Sequence, residues 1–546
     1  MGVLSSLSKI FCLEPACTYL PYKDTGYFSK LVTDYLAEES ELKPFYHFSP
    51  NKKGLLEAVQ QRGHFPVNRK ILTEVLHSQY EHLTQHEQVA HNLALLAQES
   101  TYTVCTAHQP NLLTGYLYFI YKIIHAIKLA EELKGEFPDK NFVPVYYMGS
   151  EDNDLDELGT FRYEDRKFVW DGAGQSGAVG RMKPTGIEPI LDELFRMMGP
   201  PGEHYDELKN IITKAYLHHD TIASGTQYLV NELFGRFGLI VIDPDDRKLK
   251  STFAQVMKDD VLNHTAYGIV SAEAEKLEAH YKSQAYPRPI NLFYLADNTR
   301  ERIEKKGDKW VVLNTDISFT EQELLKAIDN TPEVFSPNVI LRGLFQETIL
   351  PNVAFIGGGA EVAYWLQLKA LFTHYKVFYP AIQLRQSALW INSAETKKRE
   401  QLNLSIADIF SKELELIKNY VTKHSTDDWQ TENEAKGIED ILAQLKVKAT
   451  NVDPTLRASA EAALTKMRYQ LQVLEKKMLR AEKKKMQEHL SKISKLKNTL
   501  FPSNGLQERI ENFTAYYLQY GPAYLDMLKD ATRPFDPSFL IIENNR

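Results

Sequence analysis

A strand, a helix and a second strand within residues 103–148 constrain this chain more than any other stretch. Thr103-Val104-Cys105-Thr106-Ala107 is short, largely apolar and ends in the polar turn His108-Gln109-Pro110-Asn111, followed by Leu112-Leu113-Thr114-Gly115. Ile120, Ile123, Ile124 and Ile127 then recur at the spacing of one buried helix face. Phe142-Val143-Pro144-Val145-Tyr146-Tyr147-Met148 predicts the second strand, closed by the acidic run Glu151-Asp152-Asn153-Asp154-Leu155-Asp156-Glu157. Such a βαβ unit builds a parallel sheet whose ligands gather at the carboxyl ends of its strands. Both polar clusters follow a strand, so they are read as one candidate site.

The remaining chain is organised around that unit. Residues 1–100 read as a helical lead-in and 101–395 as a Rossmann-like core, with inserted segments at about 159–235 and 283–335. Further strands are expected at Phe237 to Pro244, Ser336 to Leu350, Asn352 to Ile356 and Val377 to Pro380. Within the second insert, Asn291 to Leu295 and Trp310 to Leu313 read as strands, joined by a charged turn from Arg300 to Gly307. From about 396 to 504 the pattern becomes helical. Leu464, Met467, Leu471, Leu474, Met478 and Ala481 alternate by three and four, the seam of a coiled coil. The register slips near Lys485 and Met486, which favours an antiparallel hairpin. Residues 505–546 read as a final helix and tail returning to the core. The expected class is therefore α/β, a Rossmann-like parallel sheet with inserted segments and a C-terminal antiparallel α-helical coiled coil.

Composition narrows the partners. A chain of 546 residues with 43% hydrophobic and 25% charged residues has room for more than one packed unit. A net charge of −8 gives no general attraction to nucleic acid or acidic membranes, and no apolar run approaches the roughly 20 residues of a bilayer span. Cys12, Cys17 and Cys105 are too few for a disulfide framework and point to a reducing, cytoplasmic setting. Cys105 sits among apolar strand residues and reads as packing.

Four groups of residues carry candidate chemistry. His108 either satisfies its turn or serves as a base near neutral pH. Glu151, Asp152 and Asp154 are suited to Mg²⁺ with a nucleotide or to a substrate ammonium, or they simply start a helix. Gly357-Gly358-Gly359, between a strand and a helix, suits an anion. There Glu361 either caps its helix or reaches a ligand, and Glu361, Tyr364 and Trp365 share a face. Arg342 within an apolar strand needs an anionic partner, a substrate group or else Glu347 or Asp154. Finally, Tyr520-Gly521-Pro522-Ala523-Tyr524 offers an aromatic face for an adenine nucleotide such as ATP or ADP, whose phosphates Arg385 and Ser387 could reach. In the alternative reading the tyrosines pack the hairpin base and Arg385 pairs with a carboxylate.

These residues resemble the BshC family of bacillithiol biosynthesis. Gln109 and Leu112-Leu113-Thr114-Gly115, then Leu117-Tyr118 and Tyr121-Lys122-Ile123, are similar to its Q-x-x-L-L-T-G-P-L-Y…Y-K-I segment. Pro144-Val145 and Glu151-Asp152-Asn153-Asp154 resemble P-V-F…E-D-H-D. Ser336-Pro337-Asn338-Val339, Arg342, Gln346, Leu350-Pro351, Gly357-Gly358, Glu361 and Ala363-Tyr364-Trp365 resemble S-P-N-V-x-x-R-P…Q-x-x-x-L-P…G-G-P-x-E-x-A-Y-W. Gly505-Leu506-Gln507-Glu508-Arg509 and Tyr520-Gly521-Pro522 resemble the family's L-Q-E-R and Y-G-P. His108 stands where Gln is common, Asn153 where the motif has His, and Tyr116 where it has Pro.

The resemblance implies a Rossmann-like core similar to class I aminoacyl-tRNA synthetases, and the joining of cysteine to the amine of glucosaminyl-malate. Catalytic roles would fall to His108, Asp152, Asp154 and Arg342. Substrate would be held by Gln109, Thr114, Gly115, Lys122, Glu151, Gln346, Gly357, Gly358, Gly359, Glu361, Tyr364 and Trp365. The alternative function is a degenerate core that gathers other thiol-pathway enzymes through its coiled coil. A homodimer through the same coiled coil is the assembly it leaves open.

Overall fold

The computed structural model describes residues 15–427 and 429–544; Cys12 lies outside them. Five strands form the central sheet: β1 (Thr101–His108), β2 (Asn141–Met148), β3 (Ile240–Ile242), β4 (Asn352–Gly357) and β5 (Ala381–Leu384). They lie in the order β5-β4-β1-β2-β3, and every neighbouring pair is parallel. The chain works outward from β1 to β3, then returns to the other side of β1 for β4 and β5. Loops leaving β1 and β4 therefore part in opposite directions and open a crevice at their carboxyl ends.

The helix α1 (Leu117–Glu136) connects β1 and β2, as its isoleucine spacing predicts. Its Ala126, Leu129, Ala130 and Leu133 pack with Val104, Ala354 and Ile356 of the sheet and with Leu55 and Val59 of the N-terminal helix Lys52–Arg62. The other strands serve the margins. Ala16–Pro21 pairs antiparallel with Ser538–Glu543, which also neighbours Ala388–Ile391. The second insert is an antiparallel sheet in which Leu292–Ala296 pairs with Thr299–Lys306.

Four local expectations are corrected. Residues after Ser336 do not continue as a strand: after Phe335–Pro337, Asn338 accepts the Ile340 N–H at 2.9 Å and caps α2 (Val339–Ile349). Ile340, Leu341, Leu344, Phe345 and Ile349 form its buried face, a helical period hidden in β-branched residues. Second, Pro380 brings no N–H to a ladder, and the strand begins one residue later, at Ala381. Third, the charged turn at 300–307 is the strand Thr299–Lys306, and the reversal falls at Gly307, which has a φ of +61°. Fourth, the run from Phe237 contributes only Ile240–Ile242 to the sheet. Beyond β4, the short helix α3 (Gly359–Trp365) follows.

By compactness the chain divides into two units. Among the described residues, one comprises 15–23, 27–390 and 505–543; the other comprises 24–26, 391–427, 429–504 and 544. The second unit carries a helical hairpin, α4 (Glu432–Val452) and α5 (Leu456–Lys485). Ion pairs join Glu439 to Arg468 at 2.7 Å and Lys446 to Glu461 at 2.5 Å, a run of partners that fixes the antiparallel register. The predicted slip is real: α5 ends at Lys485 and a separate helix, α6 (Gln487–Leu500), begins beyond Met486.

One carboxyl in the core generates a pH prediction. Glu347 is buried and accepts from Gln346 Nε2 at 2.8 Å and Asn352 Nδ2 at 2.9 Å, while its second oxygen has no hydrogen-bond partner. Burial pushes its carboxyl up to about 7, against the pull of both amides and Arg62. The fold thus favours the neutral acid. Its contribution to stability is complete below the ordinary carboxyl range and is lost as pH rises through about 7. In urea denaturation, Glu347→Gln should match the parent near about pH 4 and exceed it by about 3 kcal/mol near about pH 8.

Candidate active site

A cavity of about 300 Å³ opens at the switch point between β1 and β4. Its walls come from the ends of both strands (Ala107, His108, Gln109; Gly358, Gly359), from Gly149 after β2, and from Tyr118, Lys122, Arg342, Tyr364, Arg385 and Arg509. Parallel strands deliver the loops; α1 and α2 carry Lys122 and Arg342, Arg385 follows β5, and Arg509 ends the short turn Gln507–Arg509.

Three of these cations, Lys122, Arg342 and Arg385, each stand beside a carboxylate, while Arg509 is exposed. Lys122, on α1, donates to Ala107 O at 2.9 Å and pairs with Glu361. Burial still lowers the pKa of its ammonium, with the Glu361 pair opposing that shift. Arg342, on α2, lies 3.9 Å from Asp152 Oδ2. Burial works against its charge, but Tyr364, Asp152 and Tyr147 outweigh it and raise its pKa. Asp152 accepts from Gln109 Nε2 at 3.0 Å; burial opposes its charge too, and Arg342 and Gln109 hold it below the usual range. Arg385 makes a bidentate pair with Glu508, both bonds 2.7 Å, and its guanidinium lies 5.5 Å from the Tyr118 ring.

His108 is the last residue of β1, not part of the turn, and packs edge-on to Tyr118 with ring centres 5.3 Å apart. Its Nε2 is buried without a hydrogen-bond partner. Burial, then Lys122, Arg342 and Arg385, hold its pKa well below the usual histidine range. The ring is therefore neutral at neutral pH and can accept.

Several expected site residues lie elsewhere. Glu151 turns away from the cavity and pairs with Lys250 at 2.5 Å, and Lys250 also holds Asp245 at 2.7 Å. Burial raises the Glu151 pKa while Lys250 opposes. Asp154 is exposed and caps the turn Leu155–Leu158 through Glu157 N, the helix-start reading. The three carboxylates thus diverge and offer no shared Mg²⁺ cage. Gln346 is buried against Glu347, and Trp365 packs against Phe355 in the core with ring centres 4.5 Å apart. Thr114 and Gly115 belong to a buried turn with φ of 66° at both, held by Asn512 Nδ2 on Leu113 O at 2.8 Å and on Gly115 O. The Gly358 amide is not free for an anion, because it donates to Glu361 Oε2 at 2.8 Å.

The expected adenine face is also corrected. Tyr524 is fully buried, stacked on Tyr516 at 5.1 Å and packed against Trp390, which Tyr520 also meets at 5.3 Å. Gly521 is closed off by the His204 ring, and Ser387 is buried, accepting from Arg385 Nη1 at 3.2 Å. These residues do not fit a nucleotide. Missed from the sequence were Tyr118, Tyr147, Gly149, Glu157 and the pair Glu508 and Arg509. The last two stand in the quoted Leu-Gln-Glu-Arg segment, which was the available signal.

Residues 16–386 match the family described as "Bacillithiol biosynthesis BshC, N-terminal Rossmann-like domain". Residues 388–544 match its C-terminal coiled-coil domain. The chain belongs to the BshC family. Relatives named "Putative cysteine ligase BshC" include one from Flavobacterium johnsoniae, 38% identical over 96% of this chain and 99% of that protein. One from Christiangramia forsetii is 37% identical over 96% and 99%, and one from Salinibacter ruber 29% over 95% and 97%.

The buried tyrosine cluster is testable without any ligand. Tyr524→Ala removes a ring enclosed by Trp390 and Tyr516, and should cost about 3–5 kcal/mol in thermal or urea unfolding.

Proposed function

We propose that this BshC-family chain is the ligase that joins L-cysteine to the amine of glucosaminyl-malate, forming bacillithiol. The observation that carries the reading is the cationic cavity at the switch point. It holds Lys122, Arg342, Arg385 and Arg509 beside an unprotonated His108, and its relatives bear the cysteine-ligase name. An anionic substrate suits such a wall. Its arrival would offset the cations that depress the His108 pKa, so the ring becomes a better base when the site is filled.

In the chemistry proposed, the sugar amine attacks an activated cysteinyl carbonyl, a C–N bond forms and the activating group leaves. The amine proton passes to His108 Nε2, and Arg342, oriented by Asp152 and Tyr364, steadies negative charge on the substrate. ATP with Mg²⁺ is the proposed activating donor, and no residue of this chain is assigned to either. The protein is proposed to work in the cytoplasm; no helix among the described residues is long and apolar enough to cross a membrane.

Purified protein given cysteine, glucosaminyl-malate, ATP and Mg²⁺ should yield bacillithiol by mass spectrometry, and folded protein that yields none sinks the reading. Arg342→Ala and Asp152→Asn should each lower kcat/KM on the order of tenfold to a hundredfold, the scale of a lost charge-assisted contact. Asp154→Ala should leave turnover unchanged and cost about 1 kcal/mol of stability at most.

The hairpin supports a second copy as partner. Ile441 is 59% exposed and Leu474 50%, so two helices alone leave apolar seam residues uncovered. Light scattering should report a dimer, and Ile441→Lys with Leu474→Lys should shift it to monomer. A scaffold role would instead show bacillithiol in cells falling with the seam variants and not with Arg342→Ala.

A further inference from the structure

Arg385 has more hydrogen-bonding capacity than the protein uses. Its Nη1 and Nη2 meet Glu508 end-on, and Nη1 also reaches Ser387 Oγ. Nε is buried with no hydrogen-bond partner, although the residue is only 3% exposed. Guanidinium geometry places Nε–H and the outer Nη2–H on one edge, a second fork matched to a planar oxyanion. That edge faces the cavity wall at Gly358, where an added Cβ would stand 3.8 Å from Nε and 3.5 Å from Glu361 Oε2.

Glu508 is what aims this fork. It is fully buried, and the segment carrying it is tied down on both sides. Gln507 bonds the Trp390 N–H at 2.9 Å and its carbonyl at 3.2 Å, while Asn512 holds the 113–115 turn. A buried arginine left without an acceptor on one edge is costly, so the cavity beside it is where an acceptor belongs.

We infer that the Nε edge of Arg385 is an oxyanion subsite of the cavity, with Glu508 as its positioning residue. The ligand group is a carboxylate or a phosphate, because each presents two oxygens that can accept the two parallel N–H groups of the fork. The choice of probes rests on the ligase reading: malate stands for the sugar conjugate's carboxylates, and inorganic phosphate for the activating donor.

Calorimetric titration of the full chain with malate and, separately, with phosphate tests this. One probe should bind saturably, and the one that does names the source. Arg385→Lys keeps the charge but not the fork, and should weaken binding tenfold or more. Glu508→Gln should weaken it similarly, with partial recovery in Glu508→Asp, which a merely structural role would not produce. Gly358 has φ −74° and ψ 171°, which alanine accepts, so Gly358→Ala folds yet places a methyl beside Nε. It should weaken the same probe if Arg385 variants fail to fold. Binding unchanged in Gly358→Ala, or no saturable binding of either probe in the millimolar range, overturns the subsite. Bacillithiol formed by a protein with no such binding removes the subsite and keeps the ligase. Arg385-dependent binding without product does the reverse.

Discussion

Three cations, Lys122, Arg342 and Arg385, are withdrawn from water around one small cavity, and the architecture answers that cost. A charge leaving water is tolerated only with a partner and hydrogen bonds. Each carboxylate here comes from a different distance along the chain. Glu361 is on the helix next to its own strand, Asp152 is in the loop after β2, and Glu508 follows the entire coiled-coil segment. The sheet provides the crevice; these pairings decide which groups can stand in it. The same compensation leaves the cavity unequal. Lys122 is closely matched, Arg342 is loosely held at 3.9 Å, and Arg385 is satisfied on one edge only.

That inequality bears on His108. Burial first, and then the neighbouring cations, strip the ring of its proton, so the field that would greet an anionic substrate adds to what burial already does. The motif position where His would otherwise stand holds Asn153, whose Oδ1 accepts from Arg300 Nη1 at 3.1 Å. An arginine facing that position is a poor neighbour for a base. Asn153 suits it as a neutral acceptor, while His108, at the end of the neighbouring strand β1, is the ring that lines the cavity.

The sequence made the parallel core legible because its strands are buried on both faces and read as continuous apolar runs. β1, β2 and β4 all appear within a residue or two of their expected starts. α2 was not legible for the same reason: Val339, Ile340 and Leu341 satisfy a strand pattern as well as a helical one, and only the Asn338 cap decides. At the site, neighbours in sequence proved poor guides to neighbours in space. Glu151, Asp152 and Asp154 leave one strand end in three directions, toward Lys250, toward Arg342 and onto a helix cap. Arg385 was recognisable as a cation in need of an anion. Its partner was not, since nothing local marks a residue 123 positions later.

How a chain can place such a partner after so long a detour is answered at the junction itself. Residues 391–504 form their own compact unit, and the chain re-enters the first unit at Gly505. Gln507 then bonds both backbone groups of Trp390, so its side-chain amide stands where a neighbouring strand would. Exit and re-entry are thereby held together, with Gln507 one residue from Glu508 and Trp390 five from Arg385. Closing a loop costs only slowly more as it lengthens, so the inserted unit can be long at little expense to the junction. What the junction cannot tolerate is a change of register. A one-residue shift at Gln507 would carry Glu508 off Arg385 and leave two buried charges unpaired, a cost far above that of lengthening the insert.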